Sequence, residues 1–226
     1  MAVVELAGVS RQFGEGEGRR LVLDRVDFQA EAGEIVLVLG PSGSGKTTLL
    51  TTLAGLTPPS SGQVRLFGRD LGGLHPDELQ TLRARNIGFI FQNFLLIESL
   101  TGRENAELAL RFAGWKAGPA AQRSREVFLS LGIPHLGECR AATMSHGEKQ
   151  RVAAARAFGP SPGLILADEP TASLEFHQGQ EVIRMLHEYI REGGRTAIVT
   201  SHDTRLAELA DRVLSLQEGR LSPVAP

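Results

Sequence analysis

The segment Gly40–Thr48, with the sequence GPSGSGKTT, constrains the fold of this chain more than any other feature. It follows the apolar run Glu34–Gly40 and matches the pattern G-x-x-x-x-G-K-[ST], in which a loop joins a strand to a helix. Glycines in such a loop let backbone N–H groups turn towards phosphate oxygens, and the helix directs its positive end at the same anion. Lys46 adds a cation for the β- and γ-phosphates, and the Thr47 hydroxyl is placed to bind Mg²⁺. The predicted phosphate-binding residues are Gly40, Pro41, Ser42, Gly43, Ser44, Gly45, Lys46, Thr47 and Thr48.

Short runs rich in valine, isoleucine and leucine recur between segments of helical periodicity. Continuous apolar runs of this length suit strands that are buried on both faces of a parallel sheet. An apolar stripe at helical spacing predicts a helix after the third run. The stripe consists of Val182, Ile183, Leu186 and Ile190. The predicted strands are Glu34–Gly40, Ile87–Gln92, Leu164–Asp168 and Thr196–Ser201.

Two regions depart from this pattern. The first thirty residues alternate between polar and apolar side chains, as in LVLDRVDFQA, which predicts an antiparallel sheet. Residues 93–150 show helical periodicity without a convincing strand. We therefore predict one α/β domain over residues 1–226, with a P-loop NTPase core and a mainly parallel sheet, an N-terminal antiparallel β-subdomain and a helical insertion. Residues 1–92 and 151–226 are assigned to the core, and residues 93–150 to the helical subdomain.

Charge and composition exclude several classes of partner and location. The 226 residues carry a formal net charge of −2, which provides no basic field for nucleic acid, so no nucleic-acid partner is expected. Cys139 is the only cysteine, which rules out a disulfide within one chain and fits a reducing compartment. The N-terminus lacks the features of a signal peptide, and no window contains the roughly 18 apolar residues that cross a bilayer. The expected location is cytoplasmic, with any membrane work done through a partner.

Two acidic residues, Asp168 and Glu169, follow the buried part of the third apolar run. An acidic residue at the carboxyl end of a buried strand lies beside the ligand crevice of an open α/β sheet. Asp168 is placed to hold Mg²⁺ through water, as the second acid of P-loop enzymes does. Glu169 is then placed to orient and deprotonate an attacking water, which is the general-base role in hydrolysis.

Further motifs resemble, in order along the chain, those of the ATP-binding subunits of ABC transporters. Met144–Ala157 (MSHGEKQRVAAARA) resembles the signature motif and its helix, and Ile90–Asn93 (IFQN) resembles the glutamine loop. His202 in TSHD resembles the switch histidine, and Phe13 in RQF matches the position of the aromatic residue that stacks on adenine. The correspondences cover nearly the whole chain. The resemblance implies that the bound nucleotide is ATP with Mg²⁺, and that ATP is hydrolysed.

The resemblance also assigns roles to the residues around the nucleotide. It implies that Gln92 contacts Mg²⁺ and the attacking water. It implies that His202 contacts the γ-phosphate, so that both residues join Glu169 as catalytic residues. The implied Mg²⁺ ligands are Thr47, Gln92 and Asp168.

The signature segment has a meaning of its own as a helix start. Ser145 and Glu148 form an S-x-x-E capping box, so a helix is expected to start at Ser145 and to offer a second anion site. The resemblance implies that this site, formed by Ser145, Gly147 and Glu148, binds the γ-phosphate held by a second copy of the chain. The implied assembly is an ATP-dependent homodimer.

Three positions depart from the usual motifs of these subunits. His146 stands in place of the first signature glycine, which adds a bulky, titratable side chain beside the shared ATP. Glu175, at the end of TASLE, stands where aspartate is usual, and Phe13 replaces the more frequent tyrosine. None of these changes removes a phosphate ligand or the carboxylate of Glu169, so we expect an active ATPase.

The segment Phe91–Leu110 (FQNFLLIESLTGRENAELAL) resembles the lipoprotein-release, macrolide-export and cell-division group of these ATPases. That resemblance implies a separate transmembrane permease, attachment to the inner face of the cell membrane, and export or extraction of lipid, lipoprotein or hydrophobic cargo. One alternative is an ATPase that regulates an extracytoplasmic hydrolase without transport. Soluble ABC ATPases of DNA repair or translation usually carry two cassettes or a long coiled coil, which this sequence lacks. A P-loop kinase is disfavoured because no acceptor-binding lid is apparent.

Overall fold

The computed structural model describes residues 2–172 and 174–224, and Ser173 in the TASLE segment lies outside the described residues. Strands and helices alternate along most of the chain. The first part contains β1 (Ala2–Phe13), β2 (Arg20–Glu31), β3 (Ile35–Leu39), α1 (Lys46–Leu53), β4 (Ser61–Leu66), β5 (Arg69–Asp70), α2 (Pro76–Asn86) and β6 (Ile87–Ile90). The second part contains α3 (Gly102–Phe112), α4 (Ala117–Ser130), α5 (His146–Phe158), β7 (Leu164–Asp168), α6 (Phe176–Glu192), β8 (Thr196–Ser201), β9 (Arg212–Gln217) and β10 (Arg220–Pro223).

The strands form two sheets of different character. The larger sheet has six strands in the order β10-β9-β3-β8-β7-β6. Neighbouring strands from β9 to β6 are parallel, and β10 pairs with β9 in the antiparallel sense. The smaller sheet has the order β2-β1-β4-β5, and its pairs are antiparallel. The predicted α/β fold, with a mainly parallel sheet and an N-terminal antiparallel sheet, is confirmed.

Apolar side chains pack on both faces of the parallel sheet, because neighbouring residues of a strand point to opposite faces. On β3, Val36 and Val38 join a cluster that includes α1 and the inner face of the smaller sheet. Ile35 and Leu37 join a second cluster that includes residues of α4, α5 and α6. In the apolar stripe of α6, Val182, Leu186 and Ile190 are buried in this second cluster, and Ile183 is partly buried against it. The two clusters fix β3 and its neighbours, and hence the edge at which their carboxyl ends emerge.

The strand predictions differ from the structure mainly at their ends. Leu164–Asp168 and Thr196–Ser201 have the predicted bounds, and β3 is one residue shorter at each end than predicted. β6 ends at Ile90, two residues before the predicted end at Gln92. The chain turns there, since the N–H of Phe94 donates to the carbonyl of Phe91 at 3.0 Å. Gln92 therefore lies in a turn beyond the strand.

Candidate nucleotide-binding site

The carboxyl ends of four neighbouring parallel strands meet at one edge of the larger sheet. β3 leads into the glycine-rich loop, β6 is followed by Gln92, β7 ends at Asp168, and β8 is followed by His202. Ligands of open α/β sheets bind outside the carboxyl ends of the strands. A cleft of about 500 Å³ lies at this edge. It is lined by Phe13, Arg20, Val22, Ser42, Gly43, Gly45, Lys46, Thr47, Thr48, Gln92, Asp168, Glu169 and His202.

The loop between β3 and α1 depends on its glycines. Gly43 and Gly45 have φ angles of 79° and 106°, which residues with a side chain rarely adopt. A Cβ atom on Gly40 would lie 2.5 Å from the carbonyl oxygen of Leu216, and one on Gly45 would lie 2.9 Å from that of Val22. The loop is therefore packed closely against β9 and β2. Helix α1 begins directly after it, so the positive end of that helix faces the cleft.

Lys46 places a nearly buried cation at the base of the cleft. Its Nζ atom donates to the carbonyl oxygens of Gly40 and Pro41 at 2.6 and 3.0 Å. The same atom lies 3.1 Å from Oε1 of Glu169. The predicted cation of the phosphate loop and the predicted general base are thus in direct contact.

The carboxylate of Glu169 is held at both of its oxygens, although only 8% of the residue's surface is exposed. Besides the contact of Oε1 with Lys46, Oε2 lies 2.9 Å from Nδ1 of His202 and accepts from that residue's backbone N–H at 3.3 Å. The backbone of Glu169 has a φ of 47°, and its N–H donates to the carbonyl of Thr200 at 3.0 Å. Left-handed conformations of non-glycine residues cluster at functional sites, where surrounding contacts maintain them.

Asp168 is buried, and its two oxygens accept hydrogen bonds from two different hydroxyl groups. Thr47 Oγ1 donates to Oδ2 at 2.6 Å, and Thr200 Oγ1 donates to Oδ1 at 2.7 Å. Thr200 was not predicted, and the signal that identifies it is its position opposite Asp168 in the register of β7 and β8. Gln92 lines the same cleft. Hydroxyl, carboxylate and amide oxygens are the donors that Mg²⁺ accepts in proteins, so these residues fit that ion.

The N-terminal sheet forms another wall of the cleft. Phe13 is 41% exposed there, and the guanidinium of Arg11 lies 4.5 Å from its ring centroid, within cation–π range. Arg20 is the residue opposite Phe13 in the pairing of β1 with β2, and its Nη2 atom lies 3.5 Å from the carbonyl oxygen of Gly43. Arg20 and Val22 were not predicted. The register of the hairpin, which brings both residues beside the phosphate loop, is the signal that identifies them.

The signature segment forms a capped helix start, as its spacing predicts. Ser145 is the N-cap of α5, and its Oγ atom accepts from the backbone N–H of Glu148 at 3.4 Å. Oε2 of Glu148 accepts from the N–H and from the hydroxyl of Ser145, both at 2.8 Å, and these bonds lower the pKa of the Glu148 carboxyl. Gly147 is buried in the same turn. Of the described residues that line the cleft, none belongs to this helix start, so one chain does not bring the two predicted anion sites together.

Two of the residues that depart from the usual motifs, His146 and Glu175, make contacts of different kinds. The ring of His146 lies against that of Phe94, with the centroids 5.6 Å apart. Glu175 is the N-cap of α6, and its carbonyl accepts from the N–H of Gly179 at 2.9 Å.

Comparison with known families identifies the class of protein to which this cleft belongs. A family described as ABC transporter matches residues 23–172, a range that contains the phosphate loop, the glutamine segment, the signature helix and Glu169. The chain belongs to the ABC transporter family. It is therefore an ABC ATPase cassette, and the predicted family is confirmed.

Relatives of this cassette include a macrolide export protein and a protein of a lipoprotein-releasing system. It is 40% identical over 220 residues to the macrolide export ATP-binding/permease protein MacB of Salmonella typhimurium (strain LT2), covering 97% of this chain and 34% of the relative. It is 39% identical over 224 residues to the lipoprotein-releasing system ATP-binding protein LolD of Anaeromyxobacter dehalogenans, covering 99% of this chain and 94% of the relative. The chain thus spans about a third of the length of its MacB relatives.

A solved structure matches the whole fold. The dimeric structure of a post-hydrolysis state of the ATP-binding cassette MJ0796, bound to ADP and Pi, superposes with a TM-score of 0.90 at 33% identity. The match covers 99% of each chain. Among the described residues of the present chain, no helix has both the length and the apolar character needed to cross a membrane.

Proposed function

We propose that this cassette binds and hydrolyses ATP to drive a separate membrane permease. The observation that carries the proposal is the position of Glu169. Its carboxylate directly follows the buried Asp168 and contacts both Lys46 and His202. A carboxylate, a cation and an imidazole ring therefore meet at one point of the cleft.

The triphosphate of ATP lies on the loop from Gly40 to Thr48, where the positive end of α1 and the Lys46 ammonium attract it. A phosphate oxygen competes with Glu169 for Lys46, because both are anions within reach of one cation. When the Lys46 ammonium binds the nucleotide, Oε1 of Glu169 becomes available to accept a hydrogen bond from water. The adenine stacks on the exposed ring of Phe13, and Arg20 lies near the phosphate end of the same wall.

Hydrolysis then proceeds by attack of that water on the γ-phosphorus. A lone pair of the water oxygen forms the new P–O bond, its proton passes to the carboxylate of Glu169, and the bond to the β-phosphate oxygen breaks with its electron pair on ADP. His202 holds Oε2 of Glu169 and keeps the carboxylate oriented towards the water. Gln92, which lines the same cleft, orients the water.

Thr47, Asp168 and Gln92 are the residues that would hold Mg²⁺, which supplies charge neutralisation at the β- and γ-phosphates when it is bound. The hydrogen bonds of Asp168 to Thr47 and Thr200 fix both carboxylate oxygens in a defined orientation. Oriented ligands of this kind bind a cation with less loss of conformational entropy.

Phosphate release by the purified chain with ATP and Mg²⁺ tests this proposal. Glu169→Gln keeps the shape and hydrogen bonding of the side chain but removes the base, so kcat is expected to fall at least ~100-fold while ATP still binds. Glu192→Gln, the same change at an exposed position near the end of α6, serves as the control and should retain the parent rate. A Glu169→Gln variant that hydrolyses ATP at near the parent rate would show that Glu169 is not the base.

We further propose that each ATP is bound between two copies of the chain. Support comes from the two anion-binding helix starts, at α1 and α5, of which only the first lines the cleft. In the dimer, Ser145, Gly147 and Glu148 of one copy close the cleft of the other. The dimeric MJ0796 cassette, with its matching fold, supports the same arrangement.

Mixing two inactive variants tests the shared site. Lys46→Ala removes the loop cation and Ser145→Arg blocks the signature helix start, so each variant alone should be inactive. A mixed dimer contains one cleft with an intact loop from one copy and an intact helix start from the other, and ATPase activity should partly return. Full activity of Ser145→Arg on its own would contradict a role for this helix start.

We also propose that residues 93–150 form the subdomain that carries the signature, and that residues 1–92 and 151–226 form the core. Helices α3 and α4 lie within the first range, while α5 continues across residue 150 and joins the two parts. The proposed partner is a separate permease of the kind that belongs to a macrolide export or lipoprotein-releasing system. It would hold the chain at the cytoplasmic face of the membrane, and the complex would move lipid, lipoprotein or other hydrophobic cargo. Co-expression with the permease gene nearest to this one should move the chain to the membrane fraction. Recovery only in the soluble fraction would contradict the partnership.

A further inference from the structure

The segment after β6 bends sharply at two residues that are not glycine. Phe94 and Leu95 have φ angles of 59° and 46°, and they follow Gln92 closely in the chain. Consecutive left-handed residues with side chains are costly, and such conformations persist only where surrounding contacts maintain them. We call residues 92–95 the Gln92 corner. Contacts from elsewhere in the fold must hold this corner.

The C-terminal end of α5 provides one of the contacts that hold the Gln92 corner. Nη2 of Arg156 donates to the carbonyl oxygen of Phe94 at 2.8 Å, and Nη1 donates to that of Leu95. Burial lowers the pKa of Arg156 to about 10, so the guanidinium remains charged at neutral pH. A partly desolvated cation thus binds both carbonyls of the left-handed residues.

The first turn of α5 makes the other contact with the corner. The ring of His146 lies 5.6 Å from that of Phe94 at an interplanar angle of 39°, which is within the range of favourable aromatic pairs. One turn further along, Nζ of Lys149 lies 3.8 Å from Oε1 of Glu98. Residues three apart lie on the same side of a helix, so His146 and Lys149 share a face that contacts residues 94–98. Both ends of α5 therefore contact the segment that contains the corner.

We infer that His146 is a positioning residue for Gln92. Its ring joins the helix start that carries Ser145 and Gly147 to the corner that carries Gln92 of the same chain. Displacement of that helix start moves the corner through the His146–Phe94 contact, and Arg156 keeps the corner from relaxing independently. The inference rests on the proposed function, because it concerns the transfer of motion from the signature helix to the catalytic cleft.

A double-mutant cycle on ATP hydrolysis tests the contact. His146→Ala and Phe94→Ala each remove one ring, and each should lower kcat about 2- to 30-fold, the range of coupling through packed networks. The Tm should change little, because His146 is exposed. The KM for ATP should change little, because neither His146 nor Phe94 lines the nucleotide cleft. The double variant should be no slower than the slower single variant. His146→Phe keeps a ring against Phe94 and should stay within about 2-fold of the parent.

Two matched controls remove a ring of the same kind elsewhere in the region between β6 and α5. His135→Ala and Phe112→Ala alter exposed side chains and should retain the parent kcat. An additive cycle, or a His146→Phe variant as slow as His146→Ala, would overturn the inference. The parent must first be shown to hydrolyse ATP and to lose this activity in Glu169→Gln. Failure of that dependence rejects the proposed function, whereas an additive cycle in an active parent rejects this inference alone.

Discussion

Lys46→Ala removes a cation that is shared by the phosphate loop and Glu169. Lys46 and Glu169 are 6% and 8% exposed, so their ion pair is nearly buried. Removal of one partner of a buried pair costs about 3–5 kcal/mol, because an uncompensated charge remains in the interior. His202 still contacts Glu169, so we expect the lower end of that range, about 3 kcal/mol. In a domain of this size, each kcal/mol lowers the Tm by about 2–4 °C, which predicts a decrease of roughly 6–12 °C.

The same substitution weakens nucleotide binding for a separate reason. A hydrogen bond to a charged group contributes about 1.5–3 kcal/mol, so the affinity for ATP should fall about 10- to 150-fold. Thermal unfolding followed by circular dichroism measures the first effect, and titration with a fluorescent ATP analogue measures the second. Lys116→Ala, at an exposed lysine at the start of α4, is the matched control and should change neither quantity.

A second variant separates the two effects. In Lys46→Ala/Glu169→Gln the remaining side chain is neutral, so much of the lost Tm should return while the affinity for ATP stays low. A double variant no more stable than Lys46→Ala would refute the ion-pair reasoning. Parent-like affinity and turnover in Lys46→Ala would refute the phosphate-loop assignment.

The remaining predictions concern the hydrogen bonds around Asp168 and Glu148. Thr200→Val removes the buried donor to Asp168 Oδ1 and should lower the free energy of unfolding by about 1–3 kcal/mol. It should also raise the Mg²⁺ concentration needed for half-maximal ATPase activity. An unchanged Mg²⁺ requirement would contradict this role for Thr200. Ser145→Ala removes the N-cap of α5 and should cost about 0.5–2 kcal/mol at pH 7. The pKa of the Glu148 carboxyl is lowered in the folded state, so the stability that this carboxylate contributes is present above its unfolded pKa of about 4.3 and is lost as the pH falls through the folded value. The difference in Tm between the parent and Ser145→Ala should therefore shrink in acid. A difference that is constant from pH 7 to pH 3 would contradict this linkage.

Local patterns in the sequence were sufficient to predict the parts of the site that lie within one short segment. The loop Gly40–Thr48 was predictable because glycine spacing, the lysine and the flanking strand and helix are adjacent in the chain. The capping box at Ser145 was predictable for the same reason. The apolar runs also identified the strands, since both faces of the parallel sheet are covered.

Contacts between distant segments were beyond sequence reasoning. The placement of Glu169 between Lys46 and His202 depends on how β7, β8 and the loop are packed together, and no local pattern records that packing. Thr200 reaches Asp168 only because β7 and β8 pair in one particular register. Arg20 reaches the cleft through the register of the β1–β2 hairpin. The early end of β6 was missed because Phe91 continues the apolar run although the chain already turns there.

We propose above that ATP is bound between two copies of this chain, with the loop of one facing the signature helix start of the other. Analytical ultracentrifugation of Glu169→Gln with ATP and with ADP tests it most directly, because this variant binds ATP without hydrolysing it. The γ-phosphate is the shared ligand, so binding free energy favours the dimer only when that group is present. A dimer is expected with ATP and a monomer with ADP. A monomer under both conditions, at nucleotide concentrations well above the dissociation constant, would contradict it.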